Sequence, residues 1–196
     1  ANAISSTRQP YPFYDAYTYA PALEFGGRDT LNLELGYTEL AQVINAEDFE
    51  TSNRFEESST STAAIARTEN PNWVLEGDGS GLIRLTASEA VLTSNTNEQQ
   101  FNLTTAGPVW LELDYACDQP FWIGLKVANA ETAQRYPILL LKSTEMSPNK
   151  IYLDLGPMVR STPDATQYEI LLDAIYDGSQ DTTTVIVDNF KLVRYP

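Results

Sequence analysis

The sequence predicts an all-β protein in which most of the chain forms one antiparallel β-sandwich. Short segments with alternating apolar and polar residues recur along the chain, separated by polar turns that contain Gly, Pro, Asn and Asp. No long helical pattern lies between them. The chain has 196 residues, of which 42% are apolar, and sandwiches often run to about 200–250 residues as a single domain. Size and composition therefore agree with the pattern.

Residues 1–44 are predicted to form an extended N-terminal arm or linker. Tyr and Pro dominate residues 10–21, and proline both removes a ladder donor and favours extended backbone. Leucines alternate along residues 30–37, which makes this segment one candidate strand, while residues 38–43 fit either a helical turn or a strand. The β-sandwich domain is predicted over residues 45–196.

Two adjacent alternating segments within residues 108–128 are the clearest strands. Pairing Tyr115 with Phe121 around the turn at residues 117–120 predicts a hairpin whose apolar residues share one face. The same register gathers five aromatic and charged residues on the other face: Trp110, Glu112, Asp114, Trp122 and Lys126. The hairpin is therefore predicted to carry one surface rich in binding chemistry.

Further strands are predicted at residues 138–142, 150–155, 168–176 and 183–194. A turn at residues 146–149 is expected to join the first two as a hairpin. The glycine-rich residues 77–81 are expected to form a hairpin turn between residues 73–75 and 82–85, since they lack the Lys-Ser/Thr ending of a phosphate loop. Residues 63–67 and 130–135 each fit a short helical turn.

The net charge of −15 and a sequence pI near 4.2 restrict the partners. Such a surface repels phosphate backbones and anionic lipid, so nucleic acid is not expected as a partner. Neutral sugars, cations and basic proteins are compatible with it, as is a role in solubility alone. No apolar run approaches the roughly 20 residues that span a bilayer, so no transmembrane segment is predicted.

The chain contains no histidine and one cysteine, Cys117. This composition removes Ser-His and Cys-His pairs, the commonest zinc ligand and any intramolecular disulfide. Cys117 lies in an apolar run and is expected to be a buried, inert thiol. Catalysis would depend on carboxylates, Lys or Tyr. Glu112 and Asp114 form the Glu-apolar-Asp pattern of some sandwich glycosidases, but the next acid, Asp118, has the wrong spacing for that site.

Several short motifs resemble those of galactose-binding-domain-like jelly rolls, a group that includes many carbohydrate-binding modules. They are Asp48-Phe49-Glu50, the segment WLELDY at residues 110–115, and residues 185–193 with their Asp-Asn pair. Residues 151–155 and 168–172 are similar to segments of surface lipoproteins from Gram-negative polysaccharide-using bacteria. The resemblance covers residues 45–196 and implies a β-sandwich of jelly-roll type outside the cytoplasm, at the cell surface, in the periplasm or secreted. It is consistent with a lipid anchor upstream of Ala1.

The resemblance also implies sugar sites on a concave sheet face or on rim loops. Aromatic rings match the C–H faces of pyranoses, and flanking carboxylates and amides bind hydroxyls. The predicted hairpin face supplies this mixture, and the alternative is that its Trp rings are covered by the arm or by loops. Three further candidates are less specific: Trp73, which also fits the core, Tyr152 and Tyr176.

A structural calcium near the two chain ends is a further implication of the resemblance. Asp188 shares strand parity with Ile186 and Phe190, so it is expected to face the apolar side, where an unpaired carboxylate is costly. Calcium takes carboxylate oxygens, and Glu50 is the second candidate ligand. The competing interpretation is a carboxylate bound by backbone amides at a strand end.

These observations favour a non-catalytic accessory protein that binds a neutral glycan through aromatic platforms. The first alternative is a structural or protein-interaction domain of a surface lipoprotein, whose partner is another surface protein. The second is a glycoside hydrolase based on carboxylates. No cofactor for catalysis is expected.

Overall fold

A computed structural model of the protein describes residues 42–96, 101, 103, 107–129 and 131–194. The predicted arm and its candidate strand at residues 30–37 lie outside these residues. The described part contains eleven strands and one short helix, which are β1 (Gln42–Glu47), β2 (Phe55–Glu57), β3 (Ile65–Thr68), β4 (Ser80–Leu85), β5 (Val91–Thr96), β6 (Val109–Cys117), β7 (Phe121–Ala128), β8 (Ala133–Leu141), β9 (Asn149–Asp154), α1 (Gly156–Ser161), β10 (Gln167–Ile175) and β11 (Thr183–Arg194).

The strands form two antiparallel sheets. The six-stranded sheet has the order β3-β4-β11-β6-β9, and β1 also pairs with β11. The five-stranded sheet has the order β2-β5-β10-β7-β8. The last two strands in the chain, β10 and β11, thus lie at the centres of the two sheets. This arrangement confirms the predicted antiparallel β-sandwich of jelly-roll type.

The core lies between the inner faces of the two sheets. Leu111 and Leu113 of β6 and Ile123 and Leu125 of β7 are all 0% exposed, as their alternation predicts. Each such side chain contributes roughly 1.5–3 kcal/mol by leaving water. The rings of Tyr115 and Phe121 meet edge to face, with centroids 5.7 Å apart. The inward parity of both segments is therefore as predicted.

The predicted hairpin between these two segments is wrong. Strand β6 pairs with β11 and β9, whereas β7 pairs with β10 and β8. Tyr115 and Phe121 therefore meet across the core instead of side by side in one sheet. The chain between them crosses from one sheet to the other, and β11 holds this crossing in place. Thr184 N donates to Asp118 Oδ1 (2.7 Å) and Thr183 Oγ1 donates to Gln119 Oε1 (2.6 Å).

Other local predictions also change. The turn at residues 146–149 joins β8 and β9, which belong to different sheets, so it does not close a hairpin. Residues 73–75 are not a strand, because β4 pairs instead with β3 across a longer connection. Residues 65–67 and 133–135, which belong to the two segments predicted as helical turns (63–67 and 130–135), lie in β3 and β8 instead. No helix among the described residues is long and apolar enough to cross a membrane.

A bulge in β11 changes the expected direction of Asp188. The register with β6 shifts between Asp188 and Lys191, and Asn189 has a φ of 53°. Asn tolerates this left-handed conformation better than most residues. Phe190 and Leu192 consequently face the core, while Asp188 pairs with Asp114 on the outer side of the sheet. The predicted common parity of Asp188 and Phe190 is wrong.

Candidate functional site

Six of the eight sequence-predicted binding residues lie on two opposite outer faces of the sandwich. Trp110, Glu112 and Asp114 point outward from β6 in the six-stranded sheet, where Tyr152 of β9 pairs with Glu112. Trp122 and Lys126 point outward from β7 in the five-stranded sheet. The prediction that the two tryptophans share a face is wrong because β6 and β7 belong to different sheets.

We call the first region the Trp110 surface and the second the Trp122 surface. The Trp110 surface comprises Trp110, Glu112, Asp114, Lys150 and Tyr152. The Trp122 surface comprises Trp122, Leu140, Lys126, Glu169, Asn95, Arg135 and Asp173, which β5, β7, β8 and β10 contribute to one face of the five-stranded sheet.

The Trp122 surface has an accessible apolar part. Trp122 is 38% exposed, and its cross-strand neighbour Leu140 is 41% exposed. On the other side Trp122 pairs with Asp173 of β10, and Ile175, two residues further along that strand, is 65% exposed. Large exposed apolar side chains in neighbouring positions mark a surface suited to a ligand or partner.

A polar network lies beside this apolar part. Glu169 is only 5% exposed, and its Oε2 accepts hydrogen bonds from Lys126 Nζ (3.0 Å) and Asn95 Nδ2 (2.6 Å). Arg135 donates to Asn95 Oδ1 (3.1 Å), to Ser94 O (3.0 Å) and to the carboxylate of Asp173. The network thus links four strands and holds its side chains in defined positions.

Asp173 shows the electrostatic balance of this network. Burial raises the pKa of Asp173 above its ordinary value, although the charge and hydrogen bond of Arg135 act in the opposite direction. The carboxylate depends on the arginine because a half-buried charge without a partner is costly. Arg135 is therefore fixed by Asp173, Asn95 and the backbone together.

The Trp110 surface is organised around Lys150. Lys150 Nζ lies 2.8 Å from Glu112 Oε1 and 3.4 Å from Asp114 Oδ2. Burial alone would lower the pKa of Lys150, but the neighbouring carboxylates of Glu112 and Asp114 raise it above its ordinary value. Burial, together with the charge of Glu112, raises the pKa of the Tyr152 hydroxyl. The two acids of the predicted Glu-apolar-Asp pattern therefore share one ammonium partner.

Trp110 is less accessible than Trp122. Its side chain is half-buried, and its indole Nε1 is enclosed without a hydrogen-bond acceptor among the described residues. Stacking on a sugar requires an open ring face. Of the two tryptophans, Trp122 meets this requirement better.

A cleft of about 360 Å³ lies beside the Trp110 surface, between β6, β9 and the connection from β3 to β4. Glu76 of that connection accepts a hydrogen bond from Asn189 Nδ2 (2.8 Å), which also contacts Asp114 Oδ2 (3.1 Å). Lys150 and Asn149 complete the polar lining. The cleft is thus part of the charged network of the six-stranded sheet.

The two candidate calcium ligands bind groups of the protein itself. Asp188 is 1% exposed and accepts hydrogen bonds from Ser80 Oγ (2.7 Å) and its neighbour Asn189 N (2.8 Å). Burial raises the pKa of Asp188 to about 6 in spite of these donors. Glu50 accepts from Asp78 N (3.0 Å). The part of the chain that the structure describes contains no group of three or more side chains arranged for a metal. The arrangement fits the competing interpretation of a carboxylate bound by donors of the chain, and calcium stays a prediction.

Trp73 and Tyr176 lie away from both surfaces as defined. Trp73 is half-buried in the connection between β3 and β4, where its backbone N–H donates to Asn70 O (2.8 Å). Tyr176 follows β10, packs against the core, and donates its hydroxyl to Gln180 O. Their roles in binding stay predictions.

Sequence reasoning missed Asn95, Arg135, Glu169 and Asp173. These residues come from three strands that are distant in the chain, so no local motif contains them. One signal was available, since Glu169 and Asp173 interrupt an otherwise apolar strand at a spacing that places both on one face. Paired charges on such a strand indicate a functional or structural network.

No protein-family model and no curated protein sequence matches the chain. Solved structures with a similar fold do exist. A family 29 carbohydrate-binding module is 12% identical and matches over 78% of this chain and 88% of its own, with a TM-score of 0.50. A variant of such a module in complex with mannohexaose is 13% identical over 78% and 92%, with a TM-score of 0.50.

An arabinose-bound α-L-arabinofuranosidase also matches, with 12% identity and a TM-score of 0.54. The match covers 79% of this chain but only 26% of the enzyme. Together these structures confirm the resemblance in fold to carbohydrate-binding modules. Fold similarity at this identity does not assign a ligand, because binding sites are grafted onto folds.

Proposed function

We propose that this protein is a non-catalytic carbohydrate-binding module that binds a neutral glycan on the Trp122 surface. The observation that carries the proposal is the exposed Trp122 ring beside a fixed network of polar side chains. The ring supplies an apolar platform for the C–H face of a pyranose. Arg135 and Lys126 supply donors for its hydroxyls, and Asp173 supplies an acceptor. The buried Asn95 and Glu169 hold these side chains in position.

The charges of this surface favour a neutral ligand. Lys126 is paired with Glu169 and Arg135 with Asp173, so both cations are already balanced. The whole chain carries a net charge of −15, which repels an anionic polysaccharide at long range. A neutral glycan needs only hydrogen bonds and stacking, and both are available here.

An accessory role at the cell surface, in the periplasm or in secretion is part of the proposal. Cys117 is buried, and burial raises the pKa of its thiol to about 11. A protonated, enclosed thiol reacts slowly with oxidants, since the thiolate is the reactive form. The chain is therefore suited to an oxidising compartment.

Catalysis is the weaker alternative. Glu112 and Asp114 share Lys150 as their ion-pair partner, so both acids of the Glu-apolar-Asp pattern are already bound within the protein. A protein-interaction role has a specific observation in its favour, since Ile175 and Leu140 add exposed apolar area beside Trp122. Both roles are distinguishable from glycan binding by experiment.

The test is a calorimetric titration of the chain with mannohexaose and cellohexaose. We expect binding that Trp122→Ala weakens at least about tenfold, the loss of roughly 1.4 kcal/mol or more. Trp110→Phe is the matched control for the opposite face and should bind as the unaltered chain does. Thermal unfolding of each variant checks that the fold is retained.

Three results would contradict the proposal. Unchanged binding by Trp122→Ala would remove this surface from glycan recognition. Loss of binding only in Trp110→Phe would transfer the site to the Trp110 surface. Absence of binding to a broader panel of neutral glycans would favour the protein-interaction role.

A further inference from the structure

A second cavity lies at one end of the sandwich, away from Trp122 along β7. It has a volume of about 170 Å³ and is bounded by the end of β7, the turn between β7 and β8, and the chain that follows α1. Pockets for drug-sized ligands measure roughly 300–1,000 Å³. This cavity is smaller, so its size suits one small ring and not an oligosaccharide.

The walls of the cavity are fixed by hydrogen bonds within the protein. Asn129 Oδ1 accepts from Glu131 N (3.0 Å), Thr132 N (2.8 Å) and Thr132 Oγ1 (3.1 Å). On the opposite side Thr166 N donates to Ala128 O (2.9 Å), which joins β7 to the chain after α1. A pocket held in this way needs little reorganisation to receive a ligand.

The helix supports the same wall from behind. Leu155 and Val159 are each 0% exposed and anchor α1 in the core. Thr162, directly after the helix, donates to Met158 O (3.0 Å) and lies 3.2 Å from the hydroxyl of the buried Tyr168. The turn that follows is closed by Ala165 N donating to Thr162 O (3.0 Å). Both sides of the cavity are therefore preformed.

The lining combines hydrogen-bonding groups with small apolar surfaces. Tyr136 donates its hydroxyl to Gln134 Oε1 (2.6 Å), which leaves the Gln134 Nε2 as a donor and the tyrosine oxygen as an acceptor. The three bonds to Asn129 Oδ1 orient its amide and leave Nδ2 as a further donor. Asp164 adds a carboxylate acceptor, and the apolar parts come from Val127, Ala128, Pro163 and Ala165.

We propose that this cavity is a second binding site, which takes a single neutral sugar ring. Adjacent sugar hydroxyls each donate and accept, and amide donors beside a carboxylate and a tyrosine oxygen match such pairs. The apolar residues match the ring C–H groups, while Asp164 disfavours an anionic sugar. The site does not depend on the Trp122 surface, because none of its lining residues belongs to that surface.

The test is a titration of the ¹⁵N-labelled chain with methyl glucopyranoside, methyl mannopyranoside and methyl galactopyranoside, followed by amide chemical shifts. We expect at least one of them to shift the amides of Ala128, Thr132, Gln134 and Ala165. Gln134→Ala and Asp164→Ala should each weaken that binding about tenfold by removing one hydrogen bond to the ligand. Both residues are exposed, so neither variant endangers the fold.

The controls separate this site from the Trp122 surface. Glu131→Ala changes an exposed residue of the same turn that does not line the cavity, and should leave binding unchanged. Trp122→Ala should weaken binding of hexasaccharides but not of the methyl pyranosides. The second site is refuted if none of the three pyranosides shifts these amides, or if neither Gln134→Ala nor Asp164→Ala weakens the shifts. Either result leaves the hexasaccharide test intact.

Discussion

The two outer faces of the sandwich carry similar side chains but expose them differently. Each has one tryptophan next to acids and bases that pair with each other. On the five-stranded sheet Trp122 is open and the ion pairs lie beside it. On the six-stranded sheet Trp110 is half-buried with an enclosed indole Nε1, and Glu76 from a long connection joins the charged network.

The difference shows that strand alternation alone does not create a binding face. Alternation places Trp110 and Trp122 outward equally well. The two tryptophans differ in the segments of the protein that lie beside them. Trp122 lies between Asp173 and Leu140 of the neighbouring strands. The Trp110 surface instead borders a cleft that is lined by Leu75 and Glu76 of a long connection. Exposure of an aromatic ring is decided by these tertiary neighbours.

The largest effect is expected from Gly124→Ala, which should disrupt the sheet that carries the Trp122 surface. A Cβ at this position would lie 2.1 Å from Tyr136 O and 2.9 Å from Ile138 N, and both are backbone atoms. Strand β8 must therefore move, which displaces Arg135 from its partners. We expect a loss of about 3 kcal/mol or more in the free energy of unfolding, measured with urea.

The control for this substitution is Gly178→Ala. A Cβ at Gly178 meets no atom within 4 Å, but its φ is 73°, so alanine there should cost only about 1 kcal/mol. Hexasaccharide binding should be weakened by Gly124→Ala and retained by Gly178→Ala. Equal stability of the two variants would show that the close approach of β8 to β7 is unimportant.

The next effect is the pH dependence of the free energy of unfolding, which we compare for one acid on each face, Asp188 and Asp173. The pKa of Asp188 is about 6 in the native protein against an ordinary value of 3.8. Between these pH values the native state holds a proton that the unfolded state has released, so the free energy of unfolding decreases as pH rises through this window. We expect Asp188 to contribute a decrease of about 3 kcal/mol, which Asp188→Asn should remove in urea titrations at pH 4 to 8.

Asp173 on the opposite face provides the comparison. Burial raises its pKa as well, but Arg135 opposes this rise, so Asp173→Asn should change the pH dependence less than Asp188→Asn. A larger change from Asp173→Asn would contradict this expectation and show that Arg135 does not offset the effect of burial on Asp173.

The smallest effect concerns the central cation of each face. Arg135→Ala leaves the half-buried Asp173 carboxylate and the buried Asn95 amide without this donor, and should cost about 1–3 kcal/mol. Lys150→Ala removes a more exposed cation, 37% against 28% for Arg135, and should cost less than about 1 kcal/mol. Thermal unfolding measures both losses of stability. Equal losses would show that the network around Arg135 is no more important for stability than the ion pairs of Lys150.

The sequence predicted strands β6, β7, β9, β10 and β11 but not their partners. A hairpin and a crossing between sheets both direct Leu113 and Ile123 to the same core, so alternation cannot distinguish them. The crossing is stabilised by Thr183 and Thr184, which contact Gln119 and Asp118 from 64 and 66 residues away. Such contacts exist only after the chain has folded.

The direction of Asp188 was missed for a local reason. One extra residue in β11 reverses the parity of everything that follows it, and Asn189, which tolerates a positive φ, was its only sequence signal. The network around Arg135 forms no local motif, because its members lie on β5, β7, β8 and β10, and its only sequence signal is the pair of acids Glu169 and Asp173 on one strand. Individual outward residues were thus predictable, whereas their assembly into two separate surfaces was not.

The central positions of β10 and β11 have a consequence for biosynthesis. The segment from Gln167 to Arg194 contains the central strand of each sheet. Until the ribosome has made this segment, the earlier strands of the nascent chain lack their main partner. Strands β6 and β7 then expose unpaired edges and apolar faces, which favour aggregation. Folding of this domain should therefore begin only after β10 and β11 have been made, and pairing over such long separations is slow. Truncation before β10 would leave neither sheet intact.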